Sequence, residues 1–306
     1  MFEIPSVARV VAVVAALTLL AAACGSDSSS GDSGAAAVTD AGTASTVPAS
    51  DDGLEPSSDG AEEATPEVEP ETTVDSESDS ADAQILSAYL AVVDTANPAG
   101  FSGLSGCAGE VGDDAMPVVF SVQIDESTLG TDDFSVETAS GMRYTPTCAT
   151  LSPADEADEG YTVLLTGPLG DSADRPVSVS IVGELTGRDG ADLSMLEAPP
   201  ITDGPGPSLV LAIETDAGSE CAALGSEVEI QTVWQASVSE SDQTAAAISL
   251  VSADGEANPV GVDDPDVDNH LVLCVPAGHD TIRVDVEAGA VSGGTGSPNP
   301  ESSVEL

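Results

Sequence analysis

From about residue 100 onward the chain shows a period near two, in short β-rich runs separated by clusters of Gly, Asp, Pro and Ser. The runs fall at 116–124, 134–138, 161–166, 177–185, 209–215, 228–238, 247–251, 270–275 and 281–286. Regular punctuation of this kind predicts an all-β sandwich or barrel, because alternate side chains face one core while turn formers reverse the chain. The cleanest alternation lies in 228–238, where Val228, Ile230, Thr232 and Trp234 share a face. Trp234, the only tryptophan, is therefore expected in a core rather than on a ligand platform.

Pro199-Pro200 and Gly204-Pro205-Gly206-Pro207 mark the best candidate boundary within this β region. The expected architecture is mainly β, with one or two sandwich domains. In the two-domain form they are 83–199 and 200–306, the second ending in a flexible C-terminal tail; a single larger β-domain is the alternative. Just before the first block, apolar residues at 85, 86, 89, 90, 92 and 93 follow helical spacing, and Asn97-Pro98 ends the segment. That pattern predicts one short amphipathic helix over 84–94, packed on its own domain.

Residues 25–82 have a different composition, dominated by Ser, Ala, Thr, Gly, Pro, Asp and Glu, with no aromatic residue and no positive charge. Such a segment buries too little apolar surface to offset chain entropy, so it is expected to be disordered. As a neutral coil it would span on the order of 40 Å, and like-charge repulsion would extend it. The expected role is a stalk.

The charge balance narrows function. Five arginines and no lysine stand against 55 Asp and Glu, for a formal net charge of -50. A surface of this sign repels phosphate backbones, which argues against a nucleic-acid partner. Solubility in a saline environment is the simplest reason for it, since salt screens the self-repulsion.

Ahead of the stalk, Arg9 precedes an apolar run, broken only by Thr18, that reaches Ala23. It is too short to span a bilayer, which takes about 20 apolar residues. A charged start, a short apolar core and small residues at its end form a secretory signal over 1–23. Leu20-Ala21-Ala22-Ala23-Cys24, with the Gly-Ser-Asp-Ser run after it, resembles the lipobox of bacterial lipoproteins. Ala21 departs from the leucine most common there. The resemblance implies that Cys24 becomes the first mature residue, carries lipid, and holds the protein on the extracytoplasmic face of the cell membrane. Two or more acyl chains give stable anchoring where one does not.

Beyond Cys24 there are four cysteines, Cys107, Cys148, Cys221 and Cys274. An even number in an exported chain predicts two disulfides, and four cysteines allow three connectivities. Closing one loop within each block favours Cys107–Cys148 and Cys221–Cys274. No CxxC or Cys/His spacing suggests zinc.

The runs Phe120-Ser-Val-Gln-Ile-Asp-Glu-Ser-Thr-Leu129, Asp133-Phe-Ser-Val136 and Tyr161-Thr-Val-Leu-Leu-Thr-Gly-Pro-Leu-Gly-Asp171 resemble the strand grammar of bacterial Ig-like surface domains, over 117–171. The cysteine pair departs from the usual form of that family. The resemblance implies an adhesive or structural module and brings no functional residue with it.

Catalytic patterns are sparse. There is no G-x-S-x-G, H-E-x-x-H or P-loop, and the absence of lysine removes Ser-Lys and Schiff-base chemistry. Gly103-Leu-Ser-Gly106 misses the nucleophile-elbow spacing, and His279-Asp280 is an isolated pair. The sharpest constellation is Asp264-Pro-Asp266-Val-Asp268-Asn269, which reads as the start of an EF-hand-type loop whose alternate carboxylates, Asp264, Asp266 and Asp268, could wrap one Ca2+. The twelfth position is Val275, so the bidentate Glu is missing; an acidic turn before a strand is the simpler reading. Two functions follow as expectations. One is a lipid-anchored adhesive, scaffold or envelope-interaction module whose partner is an envelope protein or wall polymer. The other is a small-ligand or Ca2+-binding lipoprotein associated with a transporter.

Overall fold

The computed structural model describes residues 83–97, 103, 106–156, 158–204, 206–263 and 268–306. The first half contains β1 (Ile85–Ala88), β2 (Asp114–Phe120), β3 (Phe134–Thr138), β4 (Arg143–Tyr144), β5 (Cys148–Thr150), β6 (Thr162–Gly167) and β7 (Pro176–Ile181). The second half opens with β8 (Leu209–Asp216), the five-residue helix α1 (Ser219–Ala223), β9 (Val228–Trp234), β10 (Val238–Ser239) and β11 (Ile248–Ser252). It continues through β12 (Gly255–Ala257), β13 (Gly261–Asp263), β14 (His270–Cys274), β15 (Arg283–Val286), β16 (Ser292–Gly293) and β17 (Ser302–Glu305). Every strand-to-strand ladder is antiparallel, so the mainly β expectation holds for the described residues.

Two sheets build the first core: one in the order β1-β2-β6-β5 and one in the order β4-β3-β7. Met116, Val118, Phe120, Val163 and Leu165 come from the first sheet, and Phe134, Val136, Val179 and Ile181 from the second. On β3 the alternation is direct, with Phe134 and Val136 buried and Ser135 and Glu137 only partly covered. The second core repeats the arrangement with sheets β13-β14-β9-β8 and β12-β11-β15-β17. Ile230, Trp234, Leu271 and Leu273 meet Ile248, Leu250, Val284 and Val286 there. Full burial of each such side chain is worth about 1.5–3 kcal/mol relative to exposure. Trp234 is completely buried, and its indole N–H donates to Thr232 Oγ1 at 3.1 Å.

Both cores belong to one compact unit, Thr73–Leu306. β2 and β9 are each buried on the face turned from their own core as well: Val119 and Val233 are fully buried yet belong to neither cluster. The segment that looked like a boundary is docked rather than free. Leu90 N–H donates to Thr202 O and Thr202 N–H to Ala88 O, while the Tyr89 hydroxyl donates to Gly204 O at 2.8 Å. Gly206 lies so close to Pro298 that a Cβ there would collide with its carbonyl oxygen.

Two expectations need correction. The run over 84–94 is no helix: Ile85–Ala88 is strand β1 on the edge of β2, and Tyr89 and Val92 form isolated bridges to Thr202 and Ala115. A short apolar run cannot be assigned by period alone. Here β2 on one side and Thr202 on the other take up backbone hydrogen bonds of the 85–92 segment. The flexible C-terminal tail is also absent from the described residues, because Ser302–Glu305 pairs with β15, Val304 opposite Val284. Its alternation is short and carries a single apolar residue, too little for a sequence pattern to register.

Candidate metal centre

The two cysteine pairs are Cys107–Cys148 and Cys221–Cys274, 41 and 53 residues apart in sequence. Each closes within one half, the first onto β5 and the second between α1 and the end of β14. Cys24 lies outside the described residues, as do Asp264 and Asp266. Asp268 is described, and its surroundings differ from those an isolated EF-hand loop would give it.

The β5–β6 loop of the first half supplies the other members. Leu151, part of the first core, roots this loop, and successive turns close through Ala154 N–H to Leu151 O and Glu159 N–H to Glu156 O. The second turn sets Glu156 and Glu159 on the same side, three residues apart. Asp268 and Asn269 lead into β14 from the second half. Asn269 Nδ2 donates to Trp234 O at 2.6 Å and to Thr162 Oγ1 at 2.9 Å, so one amide ties the second half to the first strand after the loop. Asp268 Oδ1 accepts from His270 N–H at 2.6 Å, and Asp268 O accepts from Val238 N–H. These bonds hold Asp268 against the loop, where one ligand atom each of Glu156, Glu159 and Asp268 lies within 4.8 Å of the others.

Burial gives the cluster its chemistry. Glu159 is 8% exposed and Asp268 2%, whereas Glu156 opens to solvent. Burial, a hydrogen bond with Glu156 and the charge of Asp268 push the Glu159 carboxyl up to about 9, so it is neutral near pH 7. The same hydrogen bond holds Glu156 below the usual carboxylate range. The pair therefore holds one proton between them near pH 7. Glu159 Oε2 has no hydrogen-bond partner. His270 is 2% exposed, neither ring nitrogen has a partner, and burial lowers its pKa to about 4 although the Glu156 charge opposes this. Buried polar atoms such as Glu159 Oε2 and the two His270 ring nitrogens are expensive to leave without partners.

His279, singled out from sequence, and two of the arginines make contacts outside this cluster. His279 Nε2 faces Leu250 O at 3.0 Å rather than Asp280. Arg143 pairs with Glu137 and Arg175 with Asp203, and such exposed pairs are worth less than about 1 kcal/mol each. Glu156, Glu159 and His270 carried no sequence signal that separated them from the other acids or from the other histidine. Only the approach of the β5–β6 loop to the lead into β14 distinguishes them. Among the described residues no helix is long and apolar enough to cross a membrane. No protein-family model matches the chain, and no curated protein matches it.

Proposed function

We propose that this chain is an extracytoplasmic lipoprotein, anchored through lipid on Cys24, whose β-rich body acts as an adhesive, scaffold or envelope-interaction module. The observation that carries the reading is the pair of disulfides, one in each half. Disulfides form and persist in oxidising compartments outside the cytosol, which agrees with an exported chain. The signal-like run and the Cys24 context supply the address, and the acidic segment 25–82 supplies a spacer between anchor and body. Two sheets around each core fit sandwich domains of Ig-like kind, a scaffold on which loops and faces present interaction surfaces.

The anchor is tested by fractionating cells that express the full chain or Cys24→Ser. The native chain should label with palmitate and enter the detergent phase, whereas Cys24→Ser should do neither. Equal partitioning of the two would remove the lipoprotein assignment. Partner identity follows from in-cell crosslinking of the anchored protein. Recovery of wall polymer or a neighbouring surface protein supports the module reading; recovery of a transporter component replaces it with an accessory role in uptake.

A further inference from the structure

Three oxygen ligands from two separate parts of the fold converge within 4.8 Å, and two of them are buried. Acidic groups gathered on a surface as charged as this one would mean little. Glu159 differs because its Oε2 is withdrawn from solvent on a residue 8% exposed and has no partner. His270, two residues from Asp268 in sequence, is likewise buried with both ring nitrogens unpartnered. A buried carboxyl that leaves one oxygen without a donor, on a residue grouped with two further carboxyls, is an arrangement a cation completes.

We propose that Glu156, Glu159 and Asp268 bind one calcium ion, which clamps the β5–β6 loop of the first half to the lead into β14 of the second. The donors are all carboxyl oxygens, and entry of the cation releases to solvent the proton that Glu159 holds in its absence; such oxygens suit hard cations over copper or zinc. Calcium accepts irregular shells of mono- and bidentate carboxylates completed by water, whereas magnesium demands a near-ideal octahedron and gives up water reluctantly. Water can enter on the side of Glu156, the exposed member. The ion adds a link from the β5–β6 loop beside the one that Asn269 makes to Thr162 at the start of β6, so its effect is to stiffen the junction between the cores. The site does not depend on the lipid anchor, nor on Asp264 and Asp266.

The test is calorimetric titration of CaCl2 into the full chain, stripped with EDTA and kept at an ionic strength that screens its -50 charge, with MgCl2 in parallel. The expected result is one saturable calcium site, with a matching rise in melting temperature that EDTA reverses. Glu156→Gln alters an exposed residue and should leave the fold intact. It should weaken calcium binding at least about tenfold, because ligand charge sets affinity in such sites. Exposed Glu301→Gln should bind as the native chain does. The absence of a saturable heat, equal affinity in Glu156→Gln and the native chain, or equal heats for magnesium and calcium would each overturn the proposal. Asp268→Asn gives a second reading from the opposite side of the junction, and unchanged affinity there would also refute it.

Discussion

Glu159 and His270 are buried ionisable groups that stay neutral for the same reason, desolvation, yet they act on stability in opposite directions. The folded pKa of Glu159 is raised from 4.5 to about 9, so between those values the native state holds a proton that the unfolded chain has lost. Its contribution is complete below the unfolded pKa and is lost as pH rises through 9, with a limiting slope of about 1.4 kcal/mol per pH unit for one proton. His270 runs the other way. Its folded pKa is lowered from 6.5 to about 4, so the unfolded chain takes up the proton first and stability falls as pH drops across that window. Above pH 6.5 only Glu159 contributes of the two, and the chain has no lysine to add to the titration. In EDTA, urea denaturation at pH 6.5 and 8.5 should show the native chain losing stability with rising pH. Glu159→Gln should remove most of that slope, and an unchanged slope would show that the carboxyl is not held neutral. None of this was legible in Asp-Glu-Ala-Asp-Glu at 155–159, one acidic stretch among many.

At the scale of elements, α1 and β14 are far apart in sequence but are joined by Cys221–Cys274, across a separation of 53 residues. By the loop-entropy account, removing both cysteines as Cys221→Ala/Cys274→Ala should cost about 4 kcal/mol, read from the urea midpoint of the double variant. A loss well under 1 kcal/mol would mean that α1 is held by its other contacts. The crossover between the halves makes a second prediction. Gly206→Ala would drive a Cβ against the Pro298 carbonyl, a backbone atom that cannot rotate away. Overpacking of that kind costs about 1–3 kcal/mol, measurable by thermal melting. A neutral effect would show that the crossover moves freely. The strand over 85–88 carries the same lesson as this crossover, since its backbone partners come from residues far along the chain and no local period announces them.

For the molecule as a whole, the formal charge of -50 sets the response to salt. Self-repulsion among exposed carboxylates opposes the compact state, and the Debye length falls from about 30 Å at 0.01 M to about 3 Å at 1 M. Melting temperature should therefore climb with NaCl, and a sodium salt of another monovalent anion should act alike if screening is the cause. A flat profile would show that the carboxylates are spread widely enough over the surface to be tolerated without screening.

The sequence by itself determined what local chemistry controls. Alternation placed the strands at 134–138 and 209–215 nearly residue for residue, and put Trp234 in a core. Closing loops within blocks picked out the two disulfide pairs. Only the tertiary structure decided the rest. Edge pairing turned the 85–88 segment into a strand, pairing with β15 ordered Ser302–Glu305, and docking fastened the proline-rich crossover. The carboxylate cluster belongs to this second group. Glu159 and Asp268 are 109 positions apart, their numbers being 159 and 268. A carboxylate's pKa and its capacity to hold a cation depend on which groups and how much solvent surround it in space, and spacing along the chain carries neither.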